Sequence, residues 1–282
     1  MPKSRTYLTR RQWAFVKFGA VCTVSGEFAE VSNVEKAAKL SEDAGLDSFL
    51  VWDHYMLPHT NRTLEAYTLL AYLAGKTERI KLGTCVTPLP FRHPAVLAKI
   101  VSTLDVLSGG RAIVGVGAGW HRPEFEGYSK WGSDAERVER TEEALKIMIN
   151  LWTRPSVSFE GKYYQVHGAV LEPKPIQKPY PPLWFGTVGR RMLRLAIKYG
   201  SGWIPIDIPP LEYREIRDWL AAHVRSSFVF ANVCWPSSSK TEMKEKVEMF
   251  AKSGCDYYLE VLERSKMERQ IEWMAEIAED FR

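Results

Sequence analysis

No long apolar run occurs in this sequence. Its hydrophobic stretches are short and broken by charges, which excludes a membrane-spanning helix. The basic opening stretch MPKSRTYLTRRQWAFVKFG has neither an apolar h-region nor a small-residue cleavage site, so no signal peptide is expected. Cys-x-x-Cys spacing is missing too. Four cysteines, Cys22, Cys85, Cys234 and Cys255, stand far apart with no histidine cluster near them, which argues against zinc and for reduced thiols in a cytoplasmic protein. Cys22, Cys234 and Cys255 read as small hydrophobes of a barrel core. Charge of either sign is nowhere concentrated. The 38 Lys and Arg against 34 Asp and Glu leave a net +4 spread along the chain, so nucleic acid and membrane surfaces are not expected partners.

With 45% hydrophobic and 26% charged residues, the 282-residue chain can bury a large core. Strand and helix patterns alternate along it. Residues 17–22, 47–54, 80–87 and 111–118 read as strands, and 33–45, 64–77, 93–110 and 133–152 as helices. Asn33 is the expected N-cap of the first helix and Gly45 its C′ residue. Pro94 opens the third, and Ser133 with Glu136 makes a capping box for the fourth. A hairpin over 157–166, turning at Glu160-Gly161, and a proline-rich stretch to residue 182 interrupt the rhythm. Strands at 183–188, 202–206, 227–235 and 256–262 then alternate with helices at 189–199, 211–222, 241–253 and 267–280. Eight βα units in a chain of this length predict a (β/α)8 TIM barrel, α/β in class, over residues 17–282. Its insertion, 157–182, falls between helix four and strand five. Residues 1–16, with Trp13 and Phe15, form an N-terminal extension outside this scheme.

The stretch RAIVGVGAGWHRPEFEGY (111–128) places Gly115, Gly117 and Gly119 at alternate positions. A dinucleotide fingerprint would need its third glycine where Trp120 stands and a helix starting at once, whereas the next helix is expected at Ser133. The stretch therefore reads as the fourth barrel strand, with three glycines on one face. That face admits something flat, relieves crowding inside the barrel, or does both, the lower glycines facing the packed interior and Gly119 the open mouth. Residues after it fall at the C-terminal mouth, where barrel enzymes place their chemistry. Trp52-Asp53-His54 and Gly83-Thr84-Cys85-Val86-Thr87 end the second and third strands. Gly186-Thr187-Val188-Gly189-Arg190 ends the fifth and offers amides and an arginine suited to a phosphate. Trp52, Tyr55, Trp120, Trp203 and Trp235 are expected around the mouth and suggest a hydrophobic or conjugated ligand.

The segments LDSFLVWDH, ERIKLGTCVTP, RHPAVLAKIVSTLDVLSGGRAIVGVGAGWHRPEFEGY, FEGKYYQV and PLWFGTVG…LAIKYGSGWI, in this order and spacing, resemble the bacterial luciferase-like superfamily. These are flavin- or deazaflavin-dependent oxidoreductases on a TIM barrel. The resemblance implies a non-prolyl cis peptide at Cys85-Val86 backing the cofactor ring, with Cys85, Val86 and Thr87 in contact with the cofactor. It implies that Asp53, Gly119 and Trp120 contact the cofactor, and that residues 186–190 hold its phosphate or ribityl chain. His54 would stand near the substrate as an acid/base or oxyanion donor. One departure is clear. Deazaflavin-dependent sugar-phosphate and alcohol dehydrogenases carry a glutamate proton donor where this chain has Trp120, and His121 and Glu124 are the nearest replacements. The resemblance thus implies a coenzyme F420-dependent oxidoreductase acting on a small organic molecule. The alternative is an FMN-dependent monooxygenase using reduced flavin and O2, with 157–182 as a lid or as rim packing. A third reading is a catalytically silent barrel. A homodimer pairing through the first third of the barrel, with LEAYTLLAYLAG (64–75) at its face, is expected on the same basis.

Overall fold

The computed structural model describes residues 15–281, so nearly all of the N-terminal extension, Trp13 included, lies outside the described residues. The strands are β1 (Lys17–Cys22), β2 (Ser48–Val51), β3 (Lys81–Thr84), β4 (Thr87–Pro88), β5 (Ala112–Gly117), β6 (Val157–Glu160), β7 (Gln165–Ala169), β8 (Leu183–Phe185), β9 (Gly202–Trp203), β10 (Val229–Cys234) and β11 (Tyr257–Val261). The helices are α1 (Val31–Asp43), α2 (Ala66–Ala74), α3 (Pro94–Leu107), α4 (Arg122–Tyr128), α5 (Asp134–Thr153), α6 (Arg190–Tyr199), α7 (Pro210–Ala221), α8 (Lys240–Lys252) and α9 (Met267–Ala278).

Parallel pairing runs β1-β2-β3-β5-β8-β9-β10-β11 and returns to β1, closing the ring. β4 continues the line of β3 after a two-residue break and pairs with β5. Counted as one interrupted strand, the two complete the predicted (β/α)8 barrel. Alternation sorts the side chains into two cores. Tyr257, Leu259 and Val261 of β11 face the inside of the ring with Val21, Leu50 and Trp184, while Tyr258 joins the layer between ring and helices. Cys22, Cys234 and Cys255 belong to that outer layer, and Cys85 to the inner one.

Apart from β1, which keeps its predicted bounds, the observed ring strands are shorter than the predicted runs. Residues such as Trp52–His54 and Gly186–Val188 follow the last strand residue and become mouth loops. The predicted Asn33 cap is corrected: α1 is capped at Glu30, and the Asn33 amide donates to the Glu27 carbonyl at 2.8 Å. Gly45 does turn the chain at φ +74°. Ser133 accepts from the Glu136 amide at 3.2 Å, but the Glu136 carboxylate turns to Arg140 rather than back to the cap. A second correction concerns the loop before Ser133, which contains α4. Pro123 presets the first turn, and the buried Phe125 packs 4.4 Å from Phe91 and 5.4 Å from Trp131, ring centre to ring centre. The antiparallel hairpin β6–β7 is tied to α5 by the Glu143 carboxylate, which accepts from the amides of Lys162, Tyr163 and Tyr164.

Candidate active site

The break between β3 and β4 shapes the site. The Cys85-Val86 peptide is cis and non-prolyl, as the resemblance implied. Behind the break, Thr87 Oγ1 donates to Thr84 Oγ1 at 2.9 Å and meets the Tyr67 hydroxyl at 2.9 Å, all buried. The Val86 side chain turns toward the glycines of the neighbouring strands. A Cβ on Gly117 would stand 2.8 Å from Val86 Cγ2, and one on Gly186 would stand 2.7 Å from Val86 Cγ1. On Gly115 it would lie 2.0 Å from the Thr84 carbonyl oxygen. Of the two readings of the glycine face, crowding relief holds for Gly115, and what approaches Gly117 from the neighbouring strand is Val86.

Above this floor a cavity of about 490 Å³ opens at the mouth of the barrel. Cys85, Val86 and Gly117–Gly119 form its base, Gly186–Val188 and Met192 one side, and Pro205, Ile206 and Ile208 another. Trp52, His54, Trp120 and Trp235 form the rim. Burial pushes the Cys85 thiol up to about 12, so it remains protonated and unreactive at neutral pH.

The group with acid/base chemistry on this wall is His54. Its Nδ1 lies 2.9 Å from Glu124 Oε2. The other carboxylate oxygen, Oε1, accepts from the backbone amides of Tyr55 and Met56, the latter at 3.2 Å. Glu124 is wholly buried and comes from the first turn of α4. Gly119 makes this placement possible. It sits at φ +84°, and a Cβ there would stand 2.3 Å from the Phe125 ring. Trp52 and Trp120 hold the His54 ring edge-on at 5.9 and 5.8 Å, and Trp235 lies 5.9 Å beyond Trp52. Of the two replacements considered for the missing glutamate, Glu124 reaches His54. His121 is buried behind Trp120 and does not line the cavity; its Nε2 has no hydrogen-bond partner among the described residues.

Asp53 is placed differently from its expected role. Both of its carboxylate oxygens are taken by Arg92, at 2.7 and 2.8 Å, and the side chain does not line the cavity. Arg92 also reaches Glu65 at 2.6 Å and packs its guanidinium over the rings of Tyr55 and Tyr67. Burial alone would lower the Arg92 pKa, yet the charge and hydrogen bonds of Asp53, joined by Tyr55 and Tyr67, together outweigh it and hold the group above its ordinary value. Burial likewise pushes the Tyr67 hydroxyl up to about 12. Arg92 was missed in the sequence because its partner Asp53 is 39 residues away and no local spacing links them.

Thr87 also stands behind the wall. In the segment 186–190, Gly186, Thr187 and Val188 line the cavity, while Gly189 and Arg190 do not. Gly189 caps α6 without a side-chain bond, and no acidic residue occupies the first turn, so the amides there remain suited to a phosphate. Thr187 is fixed through its carbonyl by Trp203 Nε1 at 2.6 Å. Trp203 is thus buried structure rather than rim, and Tyr55 stacks below the site on Phe91 and Tyr128. Trp52 lines the cavity with a buried Nε1 that has no partner among the described residues. An apolar chamber edged by backbone, beside a helix start with no acidic residue in its first turn, fits an apolar ring with an anionic tail. Among the described residues no group of three or more His, Cys, Asp and Glu could hold a metal ion, and no helix is long and apolar enough to cross a membrane.

Comparisons with known proteins place the chain in a family. A family model described as luciferase-like monooxygenase matches residues 13–276. An F420-dependent glucose-6-phosphate dehydrogenase of Microbacterium testaceum is 35% identical over 168 residues, covering 58% of this chain and 49% of the relative. A 5,10-methylenetetrahydromethanopterin reductase of Archaeoglobus fulgidus is 31% identical over 242 residues, covering 84% of this chain and 68% of the relative. The chain spans about half the length of the first curated relatives it matches. Among solved structures, an F420-dependent secondary alcohol dehydrogenase in complex with an F420-acetone adduct superposes with a TM-score of 0.83 at 21% identity, covering 95% of this chain and 99% of that one.

Proposed function

This chain belongs to the luciferase-like monooxygenase family, and from that premise we propose that it is a coenzyme F420-dependent oxidoreductase acting on a small organic substrate. The observation that carries the reading is the His54–Glu124 pair at the rim of an apolar, ring-sized cavity. The names of the relatives support the deazaflavin branch. Gly186–Val188 and the start of α6 would hold the cofactor's tail, and Cys85-Val86 with Gly117–Gly119 would back its ring. When bound, the deazaflavin supplies or accepts the hydride at its central-ring carbon.

The protein's own part is positioning and proton handling. Glu124 Oε1 is committed to two backbone amides, so its orientation is fixed, and Oε2 is presented to His54 Nδ1. Nδ1–H donates to that oxygen, which leaves Nε2 as the nitrogen that exchanges a proton with the substrate. In the reducing direction hydride reaches the carbonyl carbon while Nε2–H protonates the oxygen. In the oxidising direction Nε2 takes the hydroxyl proton as hydride leaves carbon. Such proton transfer contributes on the order of 10²–10⁴-fold.

An FMN-dependent monooxygenase is the second reading, favoured by the description of the family model. None of β6–β7 lines the cavity, so a lid from that hairpin is no part of either reading. An anaerobic assay separates them. Reduced F420 incubated with a panel of ketones should be reoxidised without oxygen. Oxygen uptake that depends on reduced FMN and substrate, with no anaerobic reoxidation of F420, would replace the first reading with the second.

A further inference from the structure

Resting on that reading of the cavity, we infer that the substrate is uncharged at its reacting end: a ketone or secondary alcohol between apolar or aromatic groups, not one beside a carboxylate or phosphate. Among the described residues that line the cavity there is no Asp, Glu, Lys or Arg. Two cations of neighbouring elements are directed away from the cavity. Arg92 is shared by two carboxylates, Asp53 and Glu65, and does not line the cavity. Arg190 stands over the Trp219 ring, away from the lining.

His54 gives an anion no net attraction either. Protonated, its charge is matched by the Glu124 carboxylate 2.9 Å away; neutral, it leaves the pair negative. An anion carried down to His54 would therefore lose its water and gain no counter-charge. An aryl or alkyl ketone would instead meet Trp52, Trp120, Trp235, Ile206 and Ile208, while its oxygen finds Nε2. Trp120 matters doubly. It occupies the position after Gly119, where a carboxylate would have added charge to the mouth, and brings an indole to the lining on a residue that is 61% exposed.

The test uses 2-acetylnaphthalene and 2-naphthylglyoxylate, which share one aryl ketone and differ in carrying a methyl or a carboxylate beside the carbonyl. The full-length protein is titrated with each by calorimetry, with and without oxidised F420. The neutral ketone should bind more tightly by on the order of 100-fold. Ile208→Arg, which adds one cation to the wall, should narrow the gap at least about tenfold. Equal or tighter binding of the glyoxylate by the unaltered protein, or uptake of neither compound, would overturn the inference. The cofactor reading is judged separately, from the absorbance change of F420 on mixing. A protein that ignores F420 yet prefers the neutral ketone loses that reading alone, and one that holds F420 yet prefers the glyoxylate loses this one.

Discussion

Replacing Glu124 by glutamine tests the proton-handling pair without emptying the site. Oε1 accepts two backbone amides, from Tyr55 and Met56, so the amide oxygen of a glutamine must take that place. Its NH2 group then faces His54 Nδ1, where Oε2 now lies at 2.9 Å. A donor at that point forces Nδ1 to accept, and the imidazole proton moves to Nε2. Volume and both backbone bonds survive, so unfolding in urea should shift by only about 0.5–1.5 kcal/mol, the worth of one weakened hydrogen bond. Turnover of deazaflavin with the best ketone should fall by roughly 10²–10⁴, or about 3–5 kcal/mol of barrier, because the histidine can no longer cycle its proton. Glu124→Ala, by contrast, strands two amides and should cost roughly 2–6 kcal/mol of stability. Imidazole ¹⁵N NMR reads the tautomer directly and should show the two nitrogens exchanging character in Glu124→Gln. Turnover within threefold of the parent, with an unchanged His54 tautomer, would refute the pair.

Three further outcomes are expected. Gly115→Ala places a Cβ 2.0 Å from the Thr84 carbonyl and should destabilise by about 3 kcal/mol or more, whereas the milder Gly117→Ala should be relieved by adding Val86→Ala; thermal melts in which Val86→Ala gives no relief would contradict the close packing described. Arg92→Met leaves the Asp53 carboxylate buried and unpaired and should cost about 3–5 kcal/mol in urea unfolding, part of it recovered by adding Asp53→Asn; an unchanged midpoint would show the pair to be dispensable. Burial pushes all four thiols up to about 12, so iodoacetamide at pH 8 should leave the native protein unmodified by mass spectrometry. The unfolded chain ionises its thiols near their ordinary value of 9, so the thiols' contribution to stability should be constant below that pH and be lost as pH rises from 9 toward 12. Alkylation of Cys85 within minutes at pH 8 would contradict its burial.

The barrel was legible because each βα unit carries its own local signals, as in the Gly45 stop and the Ser133 cap. The family resemblance carried the Cys85-Val86 cis peptide. The site was legible only in part. Alternation put Gly115 and Gly117 on one face, but nothing local said that Val86 from another strand would crowd them. His54 and Glu124 are 70 residues apart and meet only because Gly119 and the short α4 fold the chain back. Asp53 looked like a ligand contact from its place beside His54. In the closed ring, though, adjacent residues at a strand end diverge: His54 faces the cavity and Asp53 faces Arg92 behind it.

The central claim, that the mouth cavity receives a deazaflavin, is tested most directly by titrating the full-length protein with oxidised F420 and, separately, with FMN. The cofactor's own fluorescence and absorbance give the readout. Saturable binding of F420 at least about tenfold tighter than FMN, and weakened by Val188→Trp, which adds bulk to a partly exposed residue of the cavity wall, is the expected result. Tighter binding of FMN, or F420 binding indifferent to Val188→Trp, would contradict it.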